Sequence, residues 1–276
     1  MRFGSADYVE GERGLQYHIQ CARGDVARYV LLPGDPERVK VISEQWDERR
    51  EIAYHREYRT HTGKYKGTEI SATSTGIGSP SAVIAMEELA RIGVDTFIRV
   101  GSTGAIQEDI DIGDLIISSA AVRLEGTSKE YVRVEYPASA HYEVILALIE
   151  AAESLGQKYH VGVTASTDSF YLGQGRHGLG GYTQSFSETI LQDLKKAKVL
   201  NFEMEAAALF TVANVYGLRA GSVAVVFANR IKDEFEVVPQ DTVAKVANEA
   251  VHILAEWDEK KKEKGKRFFY PRMVRE

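Results

Sequence analysis

The chain reads as an α/β protein: a single three-layer α/β/α domain with a mixed central β-sheet. Three observations predict this. Short β-branched and aromatic runs alternate with helical segments along the whole length. Gly, Pro and Asp cluster where those runs end. No Pro/Ser-rich linker, internal repeat or low-complexity segment divides the 276 residues, apart from a Lys-rich stretch at 259–267.

Residues 1–24 are polar and irregular, with His18 between Tyr17 and Ile19. Residues 28–32 read as a strand that Pro33 and Gly34 break. Asp35 then suits an N-cap and Pro36 the first helical turn, so Arg38 lies in the first turn of a helix. Residues 48–67 alternate as β-structure around Tyr54, Tyr58 and Tyr65, with Gly63 and Gly67 read as turns. Arg56 by itself reads as a solvated strand charge. A strand over 69–75 leads through Gly76-Ile77-Gly78 to a helix opened by Pro80 and running from Ser81 to Ile92.

The segment over 96–106 carries an arginine inside an apolar run. A buried guanidinium is costly unless paired or hydrogen-bonded. Residues 96–100 read as a strand and Gly101–Gly104 as a turn, which puts Arg99 near the strand's carboxyl end. In open α/β sheets ligands bind at that edge. Gly101, Ser102, Thr103 and Gly104 then make either an anion cradle or a plain turn whose arginine meets a structural carboxylate.

Residues 114–121 read as a strand, 139–155 as a helix and 161–167 as a strand. The glycine-rich loop 168–181 follows, bearing Phe170, Gln174 and Arg176. Loops of this length are often functional. A helix over 188–197 and a short strand over 199–202 come next. The helix over 203–216 starts Glu203-Met204-Glu205, and two carboxylates there complement the helix dipole. The strand 221–228 ends at Asn229-Arg230, and the final helix covers 242–257. Residues 258–276 form a charged tail with an aromatic patch, Phe268–Tyr270, available to dock on another surface.

Bulk properties bound the function. Hydrophobic content of 44% and charged content of 27% are ordinary for a globular protein. A net charge of −6 argues against a nucleic-acid footprint but leaves room for a small anion held by focused arginines. Apolar runs are too short to span a bilayer, and residues 1–11 lack the order of a signal peptide. Cys21 is the only cysteine, which removes an intrachain disulfide and makes the cytoplasm the default compartment. No GxGxxG opens a helix after a strand, so a Rossmann dehydrogenase is not expected.

Several elements end at turns bearing Gly, Arg or Glu. Were those ends to share one sheet edge, arginines with hydroxyls would suit phosphate. A carboxylate would suit vicinal sugar hydroxyls, and Gln and Arg beside Phe a flat ring with carbonyls and a ring N–H.

The motifs GDPERV, HRE, STGIGSPS, RVGSTGAI, GVTASTDSFYLGQGR, NFEMEAAAL and a strand ending in NR occur in order from about His18 to the last helix. Through them the chain resembles the hexameric nucleoside phosphorylases, nearest the uridine phosphorylase branch. The resemblance implies phosphorolysis of uridine to uracil and ribose 1-phosphate in pyrimidine salvage, with inorganic phosphate as co-substrate and no cofactor. It implies a phosphate site of Gly34, Arg38, Arg99 and Ser102, completed by Arg56 from a neighbouring subunit. It implies ribose contacts at Ser102, Met204 and Glu205, with His18 donated across a dimer. Phe170, Gln174 and Arg176 match the base site, near Glu203 and Arg230. Arg99, Gln174, Arg176 and Glu205 are the expected catalytic set. Glu57, Ile77 and Ser81 match a monovalent-cation (K+) position at a dimer interface, and the assembly implied is a homohexamer built as a trimer of dimers. No nucleic acid or membrane partner is expected. Ala228 stands where purine-specific relatives carry Asp, which favours a pyrimidine. The alternatives are a purine nucleoside or methylthioadenosine phosphorylase on the same fold, a hydrolytic nucleosidase, and a nucleoside-binding protein without catalysis.

Overall fold

The computed structural model describes Asp7 and residues 9–274. The expected irregular start also covers residues 1–6 and 8, and the expected tail the last two residues; these lie outside the described residues.

A continuous apolar run builds β1 (Tyr29–Pro33), buried at every position. Asp35 caps α1 (Pro36–Ser43) by accepting from the Glu37 amide at 2.9 Å, and Pro36 sits in the first turn as expected. The antiparallel strands β2 (Glu48–His55), β3 (Tyr58–Tyr65) and β4 (Thr68–Thr73) follow, then α2 (Ser79–Arg91). Next come β5 (Thr96–Ala105), β6 (Leu115–Arg123), α3 (Thr127–Tyr131), β7 (Ala138–Ser139) and α4 (Tyr142–Ser154). The second half holds β8 (Tyr159–Ser166), α5 (Ser185–Lys196), β9 (Asn201–Glu203) and α6 (Ala206–Tyr216). The chain closes with β10 (Arg219–Asn229), β11 (Glu234–Phe235) and α7 (Asp241–Glu263).

The sheet is mixed, and part of it closes on itself. β5 pairs parallel with β10, β10 antiparallel with β6, β6 parallel with β8 and β8 parallel with β9. β9 returns antiparallel to β5, which completes a ring. From β5 the sheet continues outward through β1, β4, β3 and β2. Helices cover both faces. In β1, Leu31 packs into a core with α1, α4 and α7, while Val30 and Leu32 pack with α2 and α6.

Four local expectations change. Gly101–Gly104 is not a turn: β5 runs through it to Ala105, with β10 paired along one edge and β9 meeting Gly104 and Ala105 on the other. Partners on both sides satisfy the backbone, so the strand does not break. Gly63 is not a turn either. It lies inside β3 opposite Arg49, where an added Cβ would sit 1.8 Å from the Glu48 carbonyl oxygen. Arg56 is not a strand charge. It occupies the β2–β3 turn at φ 57°, in the left-handed region. Glu203 ends β9, and α6 starts only at Ala206.

The segment read as a charged tail begins inside α7. Asp258 is half-buried and pairs with Arg219, at 2.7 Å, and Lys261, at 2.8 Å. The aromatic patch docks on this chain: Phe269 stacks on Trp257 with centroids 3.8 Å apart, and its amide donates to Glu143 at 3.0 Å. Phe268 faces solvent, 58% exposed, whereas Phe269 is 6% exposed. Phe269→Ala is therefore expected to cost about 3 kcal/mol of stability and Phe268→Ala under about 0.5 kcal/mol. Denaturant titration of both variants checks this; equal losses would place the tail off the core.

Candidate active site

Arg99 sits in the middle of β5, level with Leu32 of β1 and Ser222 of β10. Its Nη2 donates to the Glu205 carboxylate at 2.5 Å and its Nη1 to the Leu32 carbonyl at 3.3 Å. Its Nε is buried with no hydrogen-bond partner among the described residues. Gly34 follows β1 and lies against this guanidinium; a Cβ there would stand 3.4 Å from Nη1 and 3.1 Å from the Gly76 carbonyl. Glycine is what lets the backbone come this close.

Arg38, in the first turn of α1, is 7% exposed. Its Nη1 donates to the Val100 carbonyl at 3.0 Å and its Nε to the Gln240 side-chain oxygen. No carboxylate pairs with it among the described residues. Burial, and then the Arg99 charge, lower its pKa to about 10, which still leaves it cationic at neutral pH. Two guanidinium groups thus lie near each other, and a carboxylate is bonded to only one of them. The surplus positive charge, and the unspent donor on Arg99, suit an oxyanion.

Both oxygens of Glu205 are engaged. One takes Arg99, the other the Gly78 amide at 2.6 Å. Each keeps a lone pair for a ligand hydroxyl. Glu205 and Met204 line a cavity of about 220 Å3 together with Arg99, Ser102, Gln174 and Arg176. A larger groove of about 310 Å3 runs along β2 and β3 among Glu48, Arg49 and Arg50, but these are solvent-facing charges of both signs that converge on nothing.

At the far end of the cavity, the loop after β8 makes a short helical turn, Leu172–Gln174. Gln174 is buried. Its Oε1 accepts from Arg176 Nη1 at 2.6 Å, and its Nε2 lies 3.2 Å from Thr167 Oγ1. The Arg176 guanidinium stacks 3.9 Å from the centre of the Phe170 ring, forming a flat plate. Arg230 donates to the Gln174 carbonyl at 3.0 Å. Burial, and then Arg230, hold the Arg176 pKa down at about 10.

Glu203 borders the cavity, yet its carboxylate is committed to α6. It accepts from the Glu205 and Ala206 amides at 2.8 and 2.9 Å and from the Ser166 hydroxyl. Ser166 in turn accepts from the Ala207 amide at 2.8 Å. Burial, and next the Glu205 charge, push the Glu203 pKa up to about 7, while its donors pull the other way.

The chain's own cavity gathers Arg99, Ser102, Phe170, Gln174, Arg176, Glu203, Met204 and Glu205; Gly34 and Arg38 lie beside Arg99, and Arg230 against Gln174. His18 and Arg56 are elsewhere. His18 Nδ1 lies 2.6 Å from Glu88, and Arg56 reaches the Tyr17 hydroxyl at 3.3 Å. Glu57, Ile77 and Ser81 do meet: Ser81 Oγ is 3.4 Å from the Ile77 carbonyl, and Glu57 and Ser81 flank Gly76. Sequence reasoning missed Ser166, Thr167 and the Gly78 amide. A run of hydroxyl residues at the end of β8 was the only local sign of the first two.

Glu203 gives a pH test. With a folded pKa near 7 against an ordinary 4.5, the folded state holds an extra proton between those values. The stability this contributes is complete below pH 4.5 and is lost as pH rises through 7. Glu203→Gln removes the titration, so its melting temperature is expected to gain on the parent's across that window. A constant difference would mean that the three donors keep Glu203 ionised throughout.

A family model described as "Phosphorylase superfamily" matches residues 28–256. A uridine phosphorylase of Thermococcus kodakarensis is 69% identical over 272 residues, 99% of this chain and 98% of that protein. A uridine phosphorylase of Escherichia coli is 41% identical over 244 residues, covering 87% and 95%. A guanosine phosphorylase of Halorubrum lacusprofundi is 41% identical over 216 residues, covering 78% and 84%. The resemblance seen in the motifs thus extends to the full chain, which belongs to the phosphorylase superfamily.

Proposed function

We propose that this chain is a uridine phosphorylase, a pentosyltransferase that converts uridine and phosphate reversibly to uracil and ribose 1-phosphate in pyrimidine salvage. One observation carries the reading. A single cavity is lined by Arg99 with its partner Glu205, whose oxygens can still take ligand hydroxyls, and by the Gln174–Arg176 pair beside the Phe170 ring, while Arg38 brings a second guanidinium close to Arg99.

Phosphate, the co-substrate, is held by Arg38, Arg99 and Ser102 beside Gly34. Glu205 accepts from the ribose hydroxyls next to Met204. A phosphate oxygen attacks the anomeric carbon while the bond to the ring nitrogen breaks. The ring keeps the bonding pair and takes a proton from solvent. Negative charge therefore grows on the uracil carbonyls, where Gln174 and Arg176 donate. Phe170 packs on the ring, and Arg230 holds the Gln174 backbone. The arginines' contribution at the phosphate end is proximity and orientation. No side chain forms a covalent intermediate and no redox cofactor is required.

Three further parts belong to the proposal. His18 and Arg56 serve the cavity of a neighbouring subunit in a homohexamer arranged as a trimer of dimers; their place outside the chain's own cavity supports this. Glu57, Ile77 and Ser81 offer a carboxylate, a carbonyl and a hydroxyl to a monovalent cation such as K+, all hard oxygen donors. The enzyme works in the cytoplasm, a reading supported by a single, buried cysteine, Cys21; no described helix is long and apolar enough to cross a membrane.

The guanosine phosphorylase relative gives a purine reading its one specific support. Ala228, in place of an acid, and the Gln174–Arg176 pair oppose it, because a purine leaves those groups poorly paired. Release of uracil, guanine, hypoxanthine or adenine, with and without phosphate, decides. Uracil release only with phosphate is expected.

Arg38 is a cleaner probe of the phosphate end than Arg99, whose loss strands the buried Glu205 charge at about 3–5 kcal/mol. Arg38→Ala is expected to keep the fold and cut kcat/KM for phosphate about 100-fold. Steady-state kinetics at saturating uridine reads this, and a normal phosphate dependence would remove Arg38 from the site. Gln174→Ala is expected to cut kcat/KM for uridine by about 100-fold while phosphate KM stays within about twofold. A matching rise in phosphate KM would contradict the assignment of that end to the base.

A further inference from the structure

The amide of Gln174 has two ends, and which one faces the ligand decides what the cavity reads. Uracil carries a ring N–H between two carbonyls and needs an acceptor there. Cytosine carries a bare ring nitrogen and needs a donor. Two neighbours fix the amide. On one side Arg176 Nη1 donates to Gln174 Oε1 at 2.6 Å, and a guanidinium has no acceptor to offer a flipped NH2. On the other side Gln174 Nε2 lies 3.2 Å from Thr167 Oγ1. With its proton on the Ser169 carbonyl, at 3.3 Å, the Thr167 hydroxyl presents a lone pair to Gln174. A flipped amide would set N–H against N–H at Arg176 and would draw the Thr167 proton away from Ser169.

Thr167 is itself held in place. It is 1% exposed, and its amide donates to the Glu203 carbonyl at 3.1 Å. Gly173 lies against it; a Cβ on that glycine would stand 3.4 Å from Thr167 Cβ. Thr167 is not part of the cavity wall, so it acts through Gln174.

We propose that Thr167 is a positioning residue that locks the Gln174 amide with its oxygen toward Arg176, so that the cavity accepts pyrimidine rings with an N–H between two carbonyls and rejects rings with a bare nitrogen. This rests on the uridine phosphorylase reading above. It adds a residue outside the cavity as a determinant of base choice.

The test uses the full-length enzyme, with Thr167→Val, which replaces the hydroxyl by a methyl of similar size, and Thr167→Ser, which keeps the hydroxyl. Thr167→Val leaves Gln174 Nε2 without its buried acceptor. Its KM for uridine is expected to rise about tenfold, as is its Kd for uracil by calorimetry, while phosphate KM stays unchanged. Its preference for uridine over cytidine is expected to narrow by a similar factor. Thr167→Ser is expected to restore both to within about twofold of the parent. Unchanged uridine KM in Thr167→Val, a phosphate KM that rises in step, or failure of Thr167→Ser to rescue would each overturn the proposal. A parent enzyme that releases purine bases but no uracil would overturn the functional reading instead, and that result is in hand before either variant is made.

Discussion

The ion pair between Arg99 and Glu205 is the contact the rest of the site depends on. Both side chains are more than nine-tenths buried, and a buried charge survives only if it is paired and hydrogen-bonded. Arg99 comes from the middle of a strand whose neighbours occupy both edges. Glu205 sits at the start of α6 and also takes the amide of Gly78, just before α2. One carboxylate therefore ties β5, α6 and the entry to α2 together. The pairing is deliberately short of neutral. Arg38 adds a second guanidinium whose partners are a carbonyl and an amide oxygen, and Arg99 Nε has no partner among the described residues. In a place shielded from water that excess acts at close range, where the effective dielectric is low.

The other end of the cavity follows the same rule: groups that face the ligand are held by groups that do not. Asn229 is fully buried and completely satisfied. Its amide nitrogen donates to the Gln107 and Ile110 carbonyls, and its oxygen accepts from the Ile231 and Lys232 amides. That folds the chain back after β10 and brings Arg230 to the Gln174 carbonyl. Glu203 and Ser166 do the equivalent for α6. A satisfied buried polar network is rigid, and rigidity is what a preorganised site needs. Glu203 is thus better described as a support for Glu205 than as a contact to the base.

Local chemistry made some of this legible in the sequence and hid the rest. Asp35-Pro36 announced α1 because capping depends on residues next to each other. The alternation of β and α runs gave the layered fold for the same reason. Gly101–Gly104 misled, because glycines favour a turn only when no partner strand claims their backbone, and β9 and β10 lie about 100 residues away or more in sequence. Gly63 misled in the opposite sense: it is required by the crowding of a facing strand, not by a turn. The Lys-rich run after Asp258 looked solvated, and its charges masked the end of α7, which runs on to Glu263 before the chain returns Phe269 to Trp257. His18 and Arg56 have no geometric signature in a single chain; the motif resemblance alone pointed to them.

At about 41% identity, base choice cannot be read from overall similarity. A uridine phosphorylase and a guanosine phosphorylase are each 41% identical to this chain, so the shared residues are those of a common scaffold. What separates the two chemistries must lie in the few side chains at the base end. There β10 shifts register against β5 between Val226 and Ala228, which sets Ala228 opposite Gly104. The two meet with the Ala228 Cβ 3.8 Å from where a Cβ on Gly104 would stand, so this wall is built of the smallest residues and offers no acid to a purine nitrogen. In the proposed site, polar recognition falls to Gln174 and Arg176, whose mutual hydrogen bond favours one arrangement of acceptor and donor. A ring that matches that arrangement completes it. A ring that does not leaves buried donors unpaired, and such losses discriminate far more strongly than a difference in size.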